Sequence, residues 1–287
     1  MSGSRPLPAN AGAPCPPELR RAPAARRRAL GGLYAGNARA VVGRGLRVMA
    51  RNNYIVVLSG FFEPVFYLLS LGIGLGTLVG EVAFHGQPVP YAAYIAPALL
   101  ATSAMNGAVY DSTMNVYFRM HYAKLYDSQL ATSLGPLDVT LGEIFMALLR
   151  GVLYSLGFLA VMQLLGLNGS WTALLAVPAV VLVAFAFASL GFAATSFMRT
   201  FQHLEWVGFV LLPMFLLSAT FFPVEAYPGP VRVVVQCLPL WHGVEMMRML
   251  TTGIVDAGIW SHALYFALLG AFGVVVATLR LRSLFLR

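Results

Sequence analysis

Six long apolar segments constrain this chain more than any other feature of its sequence. A helix needs about 20 mostly apolar residues to cross the hydrocarbon core of a bilayer, and these segments reach or approach that length. Charged residues make up only 10% of the chain, against about 25% in soluble proteins. The pattern therefore predicts an all-α integral membrane protein with six transmembrane helices. The segments cover residues 54–79, 94–117, 140–165, 172–195, 206–222 and 260–280.

Basic residues are distributed unevenly and predict the orientation of the chain. Residues 1–53 contain ten arginines and one acidic residue, Glu18. With the N-terminus inside, the inner flanks carry ten basic residues and the outer loops carry two, Arg232 and Arg248. Since basic residues concentrate on the cytoplasmic side, both termini are predicted to be cytoplasmic. No stacking aromatic residues accompany the N-terminal arginines, so anionic membrane lipids are the expected partner and nucleic acid is not.

Composition divides the chain into three parts. Residues 1–33 are rich in Pro, Ala, Arg and Gly, and they are predicted to be disordered because they contain little that could be buried. Residues 34–53 alternate apolar side chains with arginines, which predicts an amphipathic helix at the membrane interface. Residues 54–287 form the predicted six-helix transmembrane domain.

The segment before the last span is interrupted by prolines. Its two apolar stretches, 231–238 and 240–250, are too short to cross a membrane, and stretches of this length are typical of re-entrant or interfacial helices. A helical hairpin is therefore predicted on the outer face. Its histidine and glutamate, three residues apart, favour a polar helix face over a metal site. The residues of interest in it are Pro223, Pro228, Pro239, His242, Glu245 and Arg248.

Motifs for nucleotide, metal or covalent chemistry are missing from the sequence. A Walker A loop needs Gly-x4-Gly-Lys-Ser/Thr, but the one lysine, Lys124, follows an alanine. The two cysteines, Cys15 and Cys237, lie far apart, and neither HExxH nor G-x-S-x-G occurs. The sequence therefore predicts neither enzyme activity nor a cofactor or metal bound by this chain.

Polar residues within the apolar segments are the main indication of function. Charged side chains in hydrocarbon are costly and usually face the interior of a helix bundle or water. Two interpretations remain open, namely hydrogen bonding at a dimer seam and the lining of a translocation path for a polar group. The candidate residues are Glu63, Ser103, Asn106, Asp111, Asn115, Glu143 and Arg150.

The cytoplasmic loop 118–139 contains a second candidate site. Tyr126, Leu130 and Leu134 recur every four residues and predict a short helix with one apolar face. Asp127 is predicted to cap this helix, and Gly-Pro at 135–136 to end it. Such a face needs a partner, either the membrane surface or a soluble protein.

Three stretches of the chain resemble the permeases of type-2 ABC exporters, in the branch of the nodulation-protein-J and daunorubicin-resistance permeases. The third is the most specific, because its prolines, its FFP and its PL-x-H follow the expected order. Ser133 departs from the proline that many relatives carry at this position. The stretches are GFFEPVFYLLSLGIGLG at 60–76, YDSQLATSLGPLDVTLGEI at 126–144 and ATFFPVEAYPGPVRVVVQCLPLWHGVEMMR at 219–248.

The resemblance implies a permease subunit of an exporter in the bacterial cytoplasmic membrane. Two permease subunits, identical or paralogous, would form a dimer, and two separate ATPase subunits that bind ATP and Mg would dock beneath it. The cargo would be a lipid-linked oligosaccharide, a lipid or an amphipathic drug, moved outward. The residues expected to couple the permease to the ATPase are Tyr126, Asp127, Leu130, Leu134, Gly135 and Pro136.

Two other classes of protein remain as alternatives. An ion-coupled secondary transporter or channel would use Asp111 or Glu63 for coupling and would show inverted repeats, which are not visible in this sequence. A membrane enzyme, such as a lipid-modifying transferase, would need a cluster of catalytic residues, and the sequence contains none that is recognisable.

Overall fold

The computed structural model describes residues 34–52 and 62–285, and in these ranges the chain is almost entirely helical. The predicted disordered tail, residues 1–33, lies outside them. Helix α1 covers Ala38–Asn52. Five helices are long and apolar enough to cross a membrane, namely α2 (Phe62–Val79), α3 (Tyr91–Tyr122), α5 (Pro136–Leu164), α6 (Trp171–Thr195) and α10 (Ile259–Phe285). The shorter helices are α4 (Leu125–Leu130), α7 (Phe201–Leu217), α8 (Gly229–Cys237) and α9 (Pro239–Thr252).

The described parts of these helices lie where the apolar segments of the sequence predict them; residues 54–61 of the first segment lie outside the described residues. The fifth segment becomes α7, which is apolar but shorter than the other five and contains Pro213. The two stretches before the last span become α8 and α9. Pro228 immediately precedes α8, and Pro239 is the first residue of α9, where its missing N–H and fixed φ suit the start of a helix. Pro223 precedes a single 3-10 turn at the entrance to this hairpin.

One element departs from the all-α prediction. Strands β1 (Glu81–Phe84) and β2 (Gln87–Pro90) form an antiparallel hairpin between α2 and α3. The two residues of its turn, His85 and Gly86, both have positive φ, at 47° and 77°, as in the primed turns that match strand twist. Because the strands have only four residues each, they carry no periodicity long enough to be recognised in the sequence.

Helix α3 lies at the centre of the bundle. It packs against α5, α6 and α9, and most of its first 20 residues are buried. A Cβ atom on Gly107 would lie 2.8 Å from the Cα atom of Gly151, so these glycines allow α3 and α5 to cross in close contact. At the periphery, α2 and α7 leave large apolar side chains exposed, such as Phe66, Phe209 and Leu212.

Helix α1 is held against the beginning of α5. The buried carboxylate of Asp138 accepts hydrogen bonds from the backbone N–H groups of Ala35 (2.8 Å), Asn37 (3.0 Å) and Gly135 (3.0 Å). One side chain therefore caps α5 and holds the chain that enters α1. From the sequence, Asp138 is assigned no role. Its position three residues after Gly135, at the start of a helix, is nevertheless a recognisable capping signal.

Candidate functional site

The structure divides the seven predicted intramembrane polar residues into two groups. Glu63, Ser103 and Asn106 line a cavity of about 200 Å³ between α2, α3 and α7. The other four belong to a buried network of ion pairs nearer the end of the bundle that carries α1 and α4. These four are Asp111, Asn115, Glu143 and Arg150.

The cavity between α2, α3 and α7 has a polar wall on α3 and an apolar wall on α7. Ser103 is buried, and its hydroxyl has no hydrogen-bond partner among the described residues. Glu63 is exposed on α2, next to the buried Pro64. Since α2 and α7 also expose large apolar side chains, the polar groups lie along an open seam of the single chain.

Glu143 of α5 is the centre of the ion network. Its side chain is 1% exposed, its Oε1 atom lies 3.0 Å from Arg44 of α1, and its Oε2 atom pairs with Arg119 of α3. The buried carboxylate of Asp111 lies 3.7 Å from Arg119 and 3.4 Å from Arg150 of α5. Three arginines and two carboxylates thus form a continuous series of ion pairs that joins α1, α3 and α5.

The end of α3 positions its members of this network on one face. After its α-helical part, α3 continues through π-helical turns at Asp111–Asn115 and Phe118–Tyr122. The side chains of Asp111, Asn115 and Arg119 follow at intervals of four residues, and the amide of Asn115 donates to Asp111. An isolated carboxylate at this depth would be strongly disfavoured, so its arginine partners are what stabilise its charge.

The apolar face of α4 packs against the bundle of its own chain. Tyr126 is fully buried, with its ring 6.3 Å from that of Phe192, and Leu130 and Leu134 are half-buried against the core. The bundle of the same chain therefore covers most of this face, which the sequence assigned either to the membrane surface or to a soluble protein. The residues that this segment exposes are Asp127, Ser128, Ala131, Thr132 and Ser133.

Asp127 does not cap α4, contrary to the prediction. The residue before the helix is Lys124, in the left-handed conformation with φ 44°, and Asp127 lies exposed in the first turn. A negative charge there still favours the helix through its dipole. Gly135 and Pro136 separate α4 from α5 as expected, with Gly135 extended and Pro136 as the first residue of α5.

Tyr126 lies near the ion network. Burial raises the pKa of the Tyr126 hydroxyl well above its ordinary value, and the negative charge of nearby Glu143 adds to this effect. The hydroxyl has no hydrogen-bond partner among the described residues. It remains protonated, and α4 therefore lies close enough to the carboxylate of Glu143 for the two groups to interact electrostatically.

At the opposite end of the bundle, Arg248 of α9 is almost fully buried. It donates to the carbonyl oxygens of Tyr94 (3.2 Å) and Ala219 (2.9 Å), and its guanidinium lies 3.7 Å from the centre of the Tyr94 ring. Glu245 lies 3.6 Å from Arg248 and 3.0 Å from His85 of the β-hairpin. These contacts join α9, α3 and the β-hairpin.

His242 fixes α9 to α10. Its Nδ1 atom lies 2.7 Å from Nδ1 of His262, and its ring stacks on Tyr265 with 4.0 Å between the centres. Burial, together with the charge repulsion of His262, lowers the pKa of His242 to about 4, so it is neutral at pH 7. In the part of the chain that the structure describes, no group of three or more His, Cys, Asp or Glu side chains is arranged to hold a metal ion.

Comparison with known proteins gives a consistent family assignment. The profile of the ABC-2 type transporter family matches residues 37–251. Nodulation protein J of Rhizobium leguminosarum bv. viciae is 32% identical over 222 residues, which cover 74% of this chain and 84% of that protein. Nodulation protein J of Rhizobium meliloti (strain 1021) is 31% identical over 244 residues, 81% of this chain and 91% of that protein. The matched region contains both groups of intramembrane polar residues, and it also contains helices α4 and α8.

Proposed function

Because this chain belongs to the ABC-2 type transporter family, we propose that it is the permease subunit of an ABC exporter of the bacterial cytoplasmic membrane. The observation that carries the proposal is the family match, which extends from α1 into α9. The cargo we propose is an amphiphile that moves outward, such as a lipid-linked oligosaccharide, a lipid or an amphipathic drug. The energy comes from separate ATPase subunits that bind ATP and Mg.

In the proposed topology, α2, α3, α5, α6, α7 and α10 are the six spans and both termini are cytoplasmic. Residues 34–53 form the interface helix, and 54–287 the transmembrane domain. Helices α8 and α9 form a re-entrant hairpin on the outer face. Two observations support this arrangement: basic residues concentrate at the ends assigned to the cytoplasm, and the His85–Glu245 contact places the β-hairpin and α9 at the same end of the bundle.

The translocation path in this proposal runs along the seam between α2 and α7. Glu63, Ser103 and Asn106 supply polar groups there, and the exposed apolar side chains of both helices flank them. A second permease, either another copy or a paralogue, covers this seam in the assembled transporter. A polar cargo headgroup then passes between the two subunits while its apolar part stays near the lipid.

Coupling to two ATPase subunits uses the exposed side of α4 as the docking surface. Asp127 lies on this side, whereas Tyr126 and Leu130 anchor α4 to the bundle. When ATP binding moves the ATPase, the displacement of α4 passes through Tyr126 to Glu143 and so to α1, α3 and α5. Gly135 and Pro136 form the joint between the docking segment and α5.

Reconstitution tests this function directly. The purified chain in liposomes is expected to hydrolyse no ATP, whereas addition of its cognate ATPase subunit gives hydrolysis that an exported fluorescent amphiphile stimulates. The ATPase subunit without the permease is the control. Hydrolysis by the pure chain alone, or transport driven by an ion gradient without any ATPase, would show that the chain belongs to another class of transporter.

A further inference from the structure

A cavity beneath α1 lies outside the transport path and the coupling network. It has a volume of about 530 Å³ and lies between α1, the first half of α5 and α6. Ten described residues line it, nine of them apolar or glycine and the tenth Arg39. We propose that this cavity binds one acyl chain of an anionic phospholipid from the cytoplasmic leaflet, with its phosphate held by Arg39 and Arg47.

The cavity persists because α1 is fixed to α5 along its other side. Val41 is 1% exposed and packs on Gly142, where a Cβ atom would lie 2.6 Å from the Cβ atom of Val41. The ion pair between Arg44 and Glu143 and the hydrogen bonds of Asp138 hold the same side. With these contacts in place, α1 cannot rotate to close the space without losing a buried ion pair.

The cavity lies within the depth of one leaflet of a bilayer. Its α5 wall includes Leu141, Phe145 and Leu148, and α5 begins at Pro136. At about 1.5 Å per residue, Leu141 and Leu148 lie roughly 8 Å and 18 Å along the helix from its start. Since the hydrocarbon core is about 30 Å thick, this wall lies in the cytoplasmic half of the bilayer and reaches about its middle. Phe185 of α6 lines it as well.

Charge selects the headgroup. Arg39 and Gly43 line the cavity, and Arg47 follows Gly43 by four residues, so it lies beside the cavity on the same face of α1. Both arginines are exposed, and the Nε atom of Arg47 donates to the carbonyl of Gly43 at 3.1 Å. The remaining guanidinium N–H groups can donate to a phosphate diester. An apolar cavity with a cationic edge at the interface is complementary to an anionic lipid.

Photo-crosslinking tests the proposal on the full chain in nanodiscs. The probes are phosphatidylglycerol and phosphatidylcholine, each with the same photoreactive acyl chain. Wild type should be labelled on α1 and around Phe145, with a preference for phosphatidylglycerol of about fivefold for each arginine beside the headgroup, because the choline cation of phosphatidylcholine offsets the charge of its phosphate. Arg39→Gln combined with Arg47→Gln should remove this preference, whereas Arg199→Gln, an exposed arginine of another inner loop, should preserve it.

A second variant fills the cavity. A Cβ atom on Gly43 meets no atom within 4 Å, so Gly43→Leu introduces a side chain into open space and also favours the helix. Labelling by both lipids should fall in this variant, and its thermal unfolding temperature should be no lower than that of wild type. Ala40→Leu, on an exposed position of the same helix, is the matched control and should label like wild type.

Several results would overturn the proposal. Equal labelling of wild type by the two lipids would show that the site does not select the headgroup. Undiminished labelling of Gly43→Leu would show that the acyl chain does not bind in this cavity. If Gly43→Leu instead dissociated a permease dimer, a second copy of the chain would be the occupant. The assay contains neither ATPase nor cargo, so its outcome is independent of the exporter function; it rests only on α1 lying at the membrane interface.

Discussion

Replacing Glu143 by glutamine removes the charge at the centre of the ion network and preserves the shape of the side chain. Glutamine offers one acceptor oxygen in place of two and carries no charge, so it can accept a hydrogen bond from one arginine and leaves the other without its partner. A hydrogen bond to a charged group contributes about 1.5–3 kcal/mol. The loss for the contacts to Arg44 and Arg119 is therefore about 2 kcal/mol in total, because both arginine side chains are partly exposed and solvent weakens their pairing.

This loss of interaction energy should affect both the stability of the chain and its coupling to the ATPase, which are measured separately. Thermal unfolding of the purified chain in detergent should shift to lower temperature, because α1, α3 and α5 are held together less strongly. In the reconstituted transporter, cargo-stimulated ATP hydrolysis should decrease more than basal hydrolysis, because Tyr126 of α4 interacts electrostatically with Glu143. Binding of the ATPase subunit should be unchanged, since Glu143 is buried and cannot contact a soluble partner.

Glu205→Gln is the matched control, since it removes an exposed carboxylate at the start of α7, at the same end of the bundle. If Glu143→Gln unfolded at the same temperature as Glu205→Gln, the network would not stabilise the bundle. If its stimulated hydrolysis were also normal, the path from α4 through Glu143 would be wrong.

Three further predictions concern docking, topology and pH. Asp127→Ala should weaken capture of the ATPase subunit in a pull-down, whereas Leu130→Ala should leave capture intact and lower cargo-stimulated hydrolysis; the reverse pattern would show that the apolar face of α4 is the docking surface. In a Cys15→Ser background, Cys237, which is exposed in the structure, should react with a membrane-impermeant thiol reagent on intact cells, and labelling only after lysis would contradict the outer placement of α8. The pKa of His242 is about 4 in the folded chain and about 6.5 when unfolded, so the stability of the folded chain should fall as the pH drops from 6.5 towards 4. For this partly buried group the loss at pH 5 should be about 1 kcal/mol. His242→Asn should flatten this dependence in thermal unfolding measured at pH 7 and pH 5.

Some of the candidate site could be predicted from local patterns, and some could not. The polar run on α3 and the short helix before Gly135 are visible in the sequence because they depend on residues close together in the chain. The two-stranded hairpin was missed because each strand has only four residues. Arg44 and Arg119 belong to the ten basic residues of the predicted cytoplasmic flanks. Nothing in the neighbouring sequence distinguishes these two arginines, which form buried contacts to Glu143, from the other arginines of those flanks.

Local composition is enough to predict a helical membrane protein and the positions of its apolar helices, because the transfer of a segment into lipid depends on the residues within it. Short stretches of sequence likewise carry the resemblance to its family. The pairing of the charges and the burial of one face of α4 depend instead on contacts between distant parts of the chain. Arg44 and Glu143 are 99 residues apart, and their contact exists because α1 packs on α5. The periodicity of Tyr126, Leu130 and Leu134 predicts an apolar face, but whether the bundle or a partner covers that face depends on which helices are its neighbours.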